Sequence, residues 1–102
     1  MEIKYSVDKN NLYIYLFGEL DEYSARRGKR AIDDLIDENS DVGNVIFNFS
    51  HLSFMDSTGI GLLIGRYKKI KQFNKRAYIT GANVATEKVI QLAGLYNIMP
   101  KF

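Results

Sequence analysis

The 102 residues contain no cysteine, which removes disulfide staples, thiolate metal sites and thiol nucleophiles together. There is a single histidine, His51, with no acid and nucleophile around it at a recognisable catalytic spacing. A line of Ser57, His51 and Asp56 is excluded as a triad, because neighbours five or six residues apart across a strand–helix junction do not align. Charge of one sign is scarce: the net charge is +2, too small to demand a polyanionic partner. Long apolar runs are missing as well. The run Leu62-Leu63-Ile64 is far short of a bilayer span, and no basic segment followed by an apolar stretch marks a signal peptide. A soluble cytoplasmic protein without membrane contact is therefore expected. Repeats, linkers and low-complexity segments are also absent, so residues 1–102 read as one domain.

What is present is an ordinary globular composition, 46% hydrophobic and 25% charged, enough for one modest core without staples. Ile3, Tyr5 and Val7 alternate with polar neighbours and predict a half-buried strand. Asp8-Lys9-Asn10-Asn11 is turn chemistry, and Leu12 to Phe17 is apolar in both alternating sets, which predicts an interior strand covered on both faces. Gly18-Glu19-Leu20-Asp21 ends that strand. A helix capped by Asp21 or Ser24 follows, carrying Ala31, Ile32, Leu35 and Ile36 inward, with Gly28 costing it about 1 kcal/mol against alanine.

Val45 to Phe49 predicts a third strand and Ser50 to Met55 a loop. A second helix over about Thr58–Phe73 carries Ile60, Leu63, Ile64, Tyr67 and Ile70 at helical spacing. Arg76–Thr80 is a fourth strand, and Val84–Leu92 a third helix stopped by Gly94. Tyr96–Met99 is expected as a short edge strand that Pro100 discourages from continuing. Alternation of strands with helices demands parallel neighbours, and the first two strands form a hairpin. The fold class is therefore α/β, with a mixed four- to five-stranded sheet and about three helices.

Chemistry narrows to one place. Gly59-Ile60-Gly61-Leu62-Leu63-Ile64-Gly65 sets its last glycine one residue too far for a dinucleotide loop, and no Walker lysine follows. Those glycines read instead as allowing a helical turn to pack closely on the sheet. No His/Asp/Glu cluster has metal-ligand spacing, so neither cofactor nor metal is expected, and enzymatic activity is not expected. The cations Arg66, Lys68, Lys69, Lys71, Lys75 and Arg76 bunch without interleaved aromatics, which suits a solvated helix face better than a nucleic-acid groove. Asp56-Ser57-Thr58-Gly59 remains, offering successive N-cap candidates at a helix start. A phosphate on a serine there would meet free N–H groups and the positive end of the helix dipole, so the domain could carry it without unfolding.

The stretch Leu52 to Lys71, centred on Met55-Asp56-Ser57-Thr58-Gly59-Ile60, resembles the signature of anti-sigma factor antagonists of the STAS domain family. Gly18-Glu19-Leu20-Asp21 and Leu92-Ala93-Gly94-Leu95-Tyr96-Asn97-Ile98 are similar to two further stretches of that family, so the likeness spans the chain. The resemblance implies a single STAS domain that binds an anti-sigma factor serine kinase, frees the sigma factor, and is released when the kinase phosphorylates Ser57. A serine phosphatase would restore it. By the same resemblance Asp56 is the acidic neighbour, Asp21 lines the same contact surface, and Met55 and Ile60 are apolar flanks. Thr58 is a second hydroxyl beside the phosphoacceptor. Two departures stand out: Gly28 replaces a larger apolar residue, and the family's further C-terminal helix has no counterpart up to Phe102, which bears on how fully one sheet face is covered. A small-molecule or nucleotide-binding STAS module without the switch is the alternative reading.

Overall fold

The computed structural model describes all residues from Met1 to Phe102. Its strands are β1 (Glu2–Asp8), β2 (Asn11–Leu20), β3 (Asn44–Met55) and β4 (Arg76–Thr80), in the sheet order β1-β2-β3-β4. The helices are α1 (Ala25–Glu38), α2 (Ser57–Gln72) and α3 (Val84–Leu92), followed by a 3-10 turn over Leu95–Asn97. β1 and β2 pair antiparallel, with Asp8 opposite Asn11, so only Lys9 and Asn10 form the turn. Lys9 takes φ 57°, a left-handed conformation the turn imposes on a residue that does not favour it. β2 to β3 and β3 to β4 are parallel, as strand–helix–strand order requires.

One face of the sheet holds the core. Leu12, Ile14 and Leu16 of β2, Phe47 and Phe49 of β3 and Ile79 of β4 are fully buried there against Ile32 and Ile36 of α1, Leu63 and Ile70 of α2, and Ile90 of α3. Each such side chain contributes roughly 1.5–3 kcal/mol by leaving water. The expectation that β2 is covered on both faces is corrected. Its second set, Tyr13, Tyr15 and Phe17, is half-buried and belongs to no helix-covered cluster. That face is roofed by its own aromatics. Ile46 lies fully buried outside the core cluster, while Phe102 sits edge-on to Tyr13 at 6.0 Å and to Tyr78 at 5.4 Å. Amphipathic tyrosines suit such a position because ring and hydroxyl face different surroundings.

β3 runs to Met55, where a loop from Ser50 was expected. Its pairing with β2 slips twice, between Tyr15 and Phe17 and again between Gly18 and Glu19, each time placing an extra β3 residue in the ladder. Burial along β3 consequently passes to every third residue, Phe49, Leu52 and Met55, and the alternation that advertises a strand is lost. Asn48 braces the first bulge by accepting the Ser50 N–H at 2.9 Å, and Ser53 donates its hydroxyl to the Gly18 carbonyl across the second, also at 2.9 Å.

The short strand expected at Tyr96–Met99 is a helical turn instead, begun by Gly94 in the left-handed region at φ 70°. The sheet edge is met later, by a single bridge between Lys101 and Ile79 rather than a strand. Pro100 accepts from the Ile79 N–H at 3.0 Å, and Phe102 donates to the Ile79 carbonyl at 2.9 Å. Proline lacks a donor but keeps its acceptor, so it serves this edge well. Lys101 then reaches Glu87 of α3 at 2.6 Å, and the Tyr96 hydroxyl donates to the same carboxylate at 2.7 Å. The hydrogen bond from Lys101, then that from Tyr96, hold the Glu87 carboxyl below its ordinary range against a smaller opposing effect of desolvation. Burial, followed by the Glu87 hydrogen bond and charge, pushes the Tyr96 phenol up.

A group whose pKa is lowered by folding contributes stability above its unfolded value and loses it as pH falls through the folded one. The C-terminal tie is thus expected to loosen in acid, below the normal carboxylate range. Amide exchange at Ile79 and Phe102 should accelerate there in the native chain, and Glu87→Gln should exchange fast already at neutral pH. Equal protection of the two chains at neutral pH would show that Glu87 does not hold this edge.

The basic run resolves into internal contacts. Arg66 is buried between α1 and α2, its Nε 2.7 Å from Asp33 Oδ1 in an ion pair whose N–H is not aligned as a hydrogen bond. Lys69 meets Asp37 at 2.9 Å, and buried Lys75 donates to the Asn39 carbonyl at 3.1 Å. Half of the cluster is thereby committed to joining α2 and β4 to the first helix and the loop after it.

Candidate functional site

Because β2 and β3 are parallel neighbours, their C-terminal ends emerge side by side. Leu20 pairs with Met55, and the Asp56 N–H donates to the Leu20 carbonyl at 3.3 Å. That register brings Gly18-Glu19-Leu20-Asp21 against Asp56-Ser57-Thr58-Gly59, two stretches more than thirty residues apart in sequence. The loops beyond the C-terminal ends of parallel strands are where α/β sheets gather functional groups.

Of the cap candidates, Asp56 is the one used. Its backbone is extended, and Oδ1 accepts from the Thr58 N–H at 2.9 Å and the Gly59 N–H at 3.4 Å. Ser57 therefore stands at the first helical position with an exposed side chain, and no hydrogen bond engages its hydroxyl. Thr58 is exposed beside it. Across the junction, Asp21 is half-buried and caps its own turn: Oδ1 accepts from Tyr23 N at 3.0 Å and Ser24 N at 3.1 Å, while the Ser24 hydroxyl donates to the Glu19 carbonyl at 2.9 Å. Asp56 thus stands beside an unoccupied serine hydroxyl, and the Asp21 turn lies at the same end of the sheet.

Met55 and Ile60 are not on this surface. They are 3% and 9% exposed, and their expected place in a contact face is corrected. Met55 is pinned under α2: a Cβ at Gly59 would meet its Cγ at 2.5 Å and Leu20 Cγ at 3.0 Å. Both residues hold the loop rather than present it. The apolar groups that do reach solvent at this end are Tyr23, 88% exposed, and Phe54, 49% exposed. Large exposed aromatics adjoining the motif were the available signal for them. Tyr23 and Asp21 also line an open cleft of about 340 Å³ with Met1, Glu19, Ser24 and Arg27. His51 stacks on Phe17 at 4.6 Å and is spent there.

A profile of the STAS domain matches residues 2–102. The chain belongs to the STAS domain family. Among characterised relatives, the anti-sigma F factor antagonist of Lysinibacillus sphaericus is 34% identical over 89 residues, covering 87% of this chain and 75% of that protein. The anti-sigma F factor antagonist of Paenibacillus polymyxa is 28% identical over 100 residues, or 98% of this chain and 85% of that one. The solved anti-sigma factor antagonist SpoIIAA in its unphosphorylated form superposes with a TM-score of 0.81 at 30% identity, over 99% of this STAS domain and 88% of that chain. The Bacillus cell fate determinant SpoIIAA in the phosphorylated form gives 0.72 at 31% identity, over 99% and 91%. This STAS domain is thus of the anti-sigma factor antagonist type, and its relatives are named for antagonism rather than for a reaction. No helix in it is long and apolar enough to cross a membrane.

Proposed function

We propose that this STAS domain is a phosphorylation-gated cytoplasmic binding protein: unphosphorylated, it engages an anti-sigma factor that is itself a serine kinase, and a phosphate on Ser57 ends the engagement. The reading is carried by the free Ser57 hydroxyl, left unbonded because Asp56 takes the cap. In the step, Ser57 Oγ forms a bond to the γ-phosphorus of ATP, ADP leaves, and the hydroxyl proton passes to a base of the kinase. A relative at 31% identity, SpoIIAA, exists in a phosphorylated form.

The same charge acts differently on the two sides of the contact. Within the domain, Asp56 already takes the first N–H groups of α2, and the phosphate meets the positive end of the helix dipole, so the fold tolerates it. A partner resting on Ser57 meets about two added negative charges beside Asp56 and Asp21. Thr58, Tyr23 and Phe54 complete the surface it would cover, and Met55 and Ile60 support it from beneath. A serine phosphatase returns the domain to its binding form.

The decisive experiment incubates the domain with the candidate anti-sigma kinase and ATP, followed by mass spectrometry of the peptide spanning Phe54 to Arg66. One phosphate is expected, on Ser57, with Thr58→Ala modified normally and Ser57→Ala not at all. Normal phosphate uptake by Ser57→Ala would overturn the assignment.

A further inference from the structure

The outer edge of β1 is unpaired, and its protection is limited to the charged side chains of Glu2, Lys4 and Asp8. β1 pairs with β2 over its whole length without a bulge and contains no proline. Closure of the hairpin by a two-residue turn directs the backbone groups of Glu2, Lys4, Ser6 and Asp8 toward β2. Those of Ile3, Tyr5 and Val7 consequently point outward. Tyr5 and Val7 lie on the helix-bearing face of the sheet, opposite Ile14 and Leu12, yet are 54% and 47% exposed because α1 does not extend over them.

We propose that this edge pairs with β1 of a second copy of the chain, antiparallel, about a two-fold axis through Ser6. An antiparallel edge dimer has its axis perpendicular to the sheet, so opposed residues share a face and their numbers sum to an even value. Centring on Lys4 would set Lys4 against the partner's Lys4, and centring on Tyr5 would set Glu2 against the partner's Asp8. Both registers oppose like charges. Centring on Ser6 places Lys4 against the partner's Asp8 twice over. It also pairs Tyr5 with the partner's Val7 twice, and these are the outward-pointing residues that can exchange hydrogen bonds. The two exposed apolar groups of each copy then form one stripe across the axis.

The Asp8–Asn11 turn lies at the far end of β2 from Leu20, so both Ser57 hydroxyls stay open in the dimer. A five-residue edge contact is small, and the association is accordingly weak, with a dissociation constant of roughly 10–1,000 μM.

Sedimentation of the intact chain up to about 1 mM should show mass rising from 11.7 kDa toward twice that value. Lys4→Glu alone and Asp8→Lys alone should each remain monomeric, since each opposes like charges twice. Mixed in equal amounts, they should associate at least as strongly as the native chain, because every opposed pair is then Glu–Lys or Asp–Lys. The double variant on one chain should dimerise again. Both positions are exposed, and thermal melts confirm that the variants fold. A native chain that stays monomeric, single variants that dimerise normally, or a mixture that does not associate would each overturn the proposal.

Discussion

Ser57→Asp is expected to weaken binding to the anti-sigma kinase by about a hundredfold, roughly 2.7 kcal/mol, while the thermal midpoint of the isolated domain barely moves. The two halves of this result share one cause. At the first position of α2 a carboxylate lies at the positive end of the helix, where no acidic residue now occupies the first turn, so the fold gains or stays neutral. On the partner's side the same charge joins Asp56 and Asp21 and is desolvated on contact, where like-charge juxtaposition costs several kcal/mol. A phosphate, with nearly twice the charge, should act more strongly than aspartate. Titration calorimetry of the native chain and the variant decides it: equal affinities would remove charge gating as the mechanism.

Gly59 and Gly61 are two residues apart in one motif and should respond to alanine in opposite directions. A Cβ at Gly59 intrudes on Met55 and Leu20, two buried side chains under the serine loop. The cost of overpacking, about 1–3 kcal/mol, exceeds the gain in helix propensity. Gly61 has nothing within 4 Å of a Cβ, nor has Gly65, and alanine at either should stabilise by roughly 0.5–1 kcal/mol. Denaturant unfolding would measure both, and a stabilised Gly59→Ala would mean that Met55 does not anchor the loop. The expectation of close packing is thus right for Gly59 and corrected for the other two. Gly61 and Gly65 instead open a groove of about 350 Å³ between α1 and α2, rimmed by Arg26 and Lys29.

Periodicity was sufficient for α1, α2 and α3, because each turns one apolar stripe to a common core and the spacing survives in the sequence. It failed on the second half of β3. Two bulges move burial onto every third residue there, and a pattern of Phe49, Leu52 and Met55 has neither the period of a strand nor that of a helix. It also failed at the C-terminus, where Gly94 and the pairing of residue 101 with Ile79 depend on contacts distant in sequence.

For the site, composition alone excluded thiol chemistry, and the Asp-Ser-Thr-Gly run marked the start of α2 as the place to look. Local chemistry could not say which of three adjacent side chains would cap the helix, since all three can. The extended backbone that ends β3 decided for Asp56, and that choice frees the Ser57 hydroxyl. Nor could any local pattern bring Asp21 to the serine, which required Leu20 to pair with Met55 across the sheet. The amino-acid sequence by itself determined the residue types of this site and the helix it stands on. Tertiary structure decided which hydroxyl is free and which turn lies beside it, because register and burial are properties of the packed sheet.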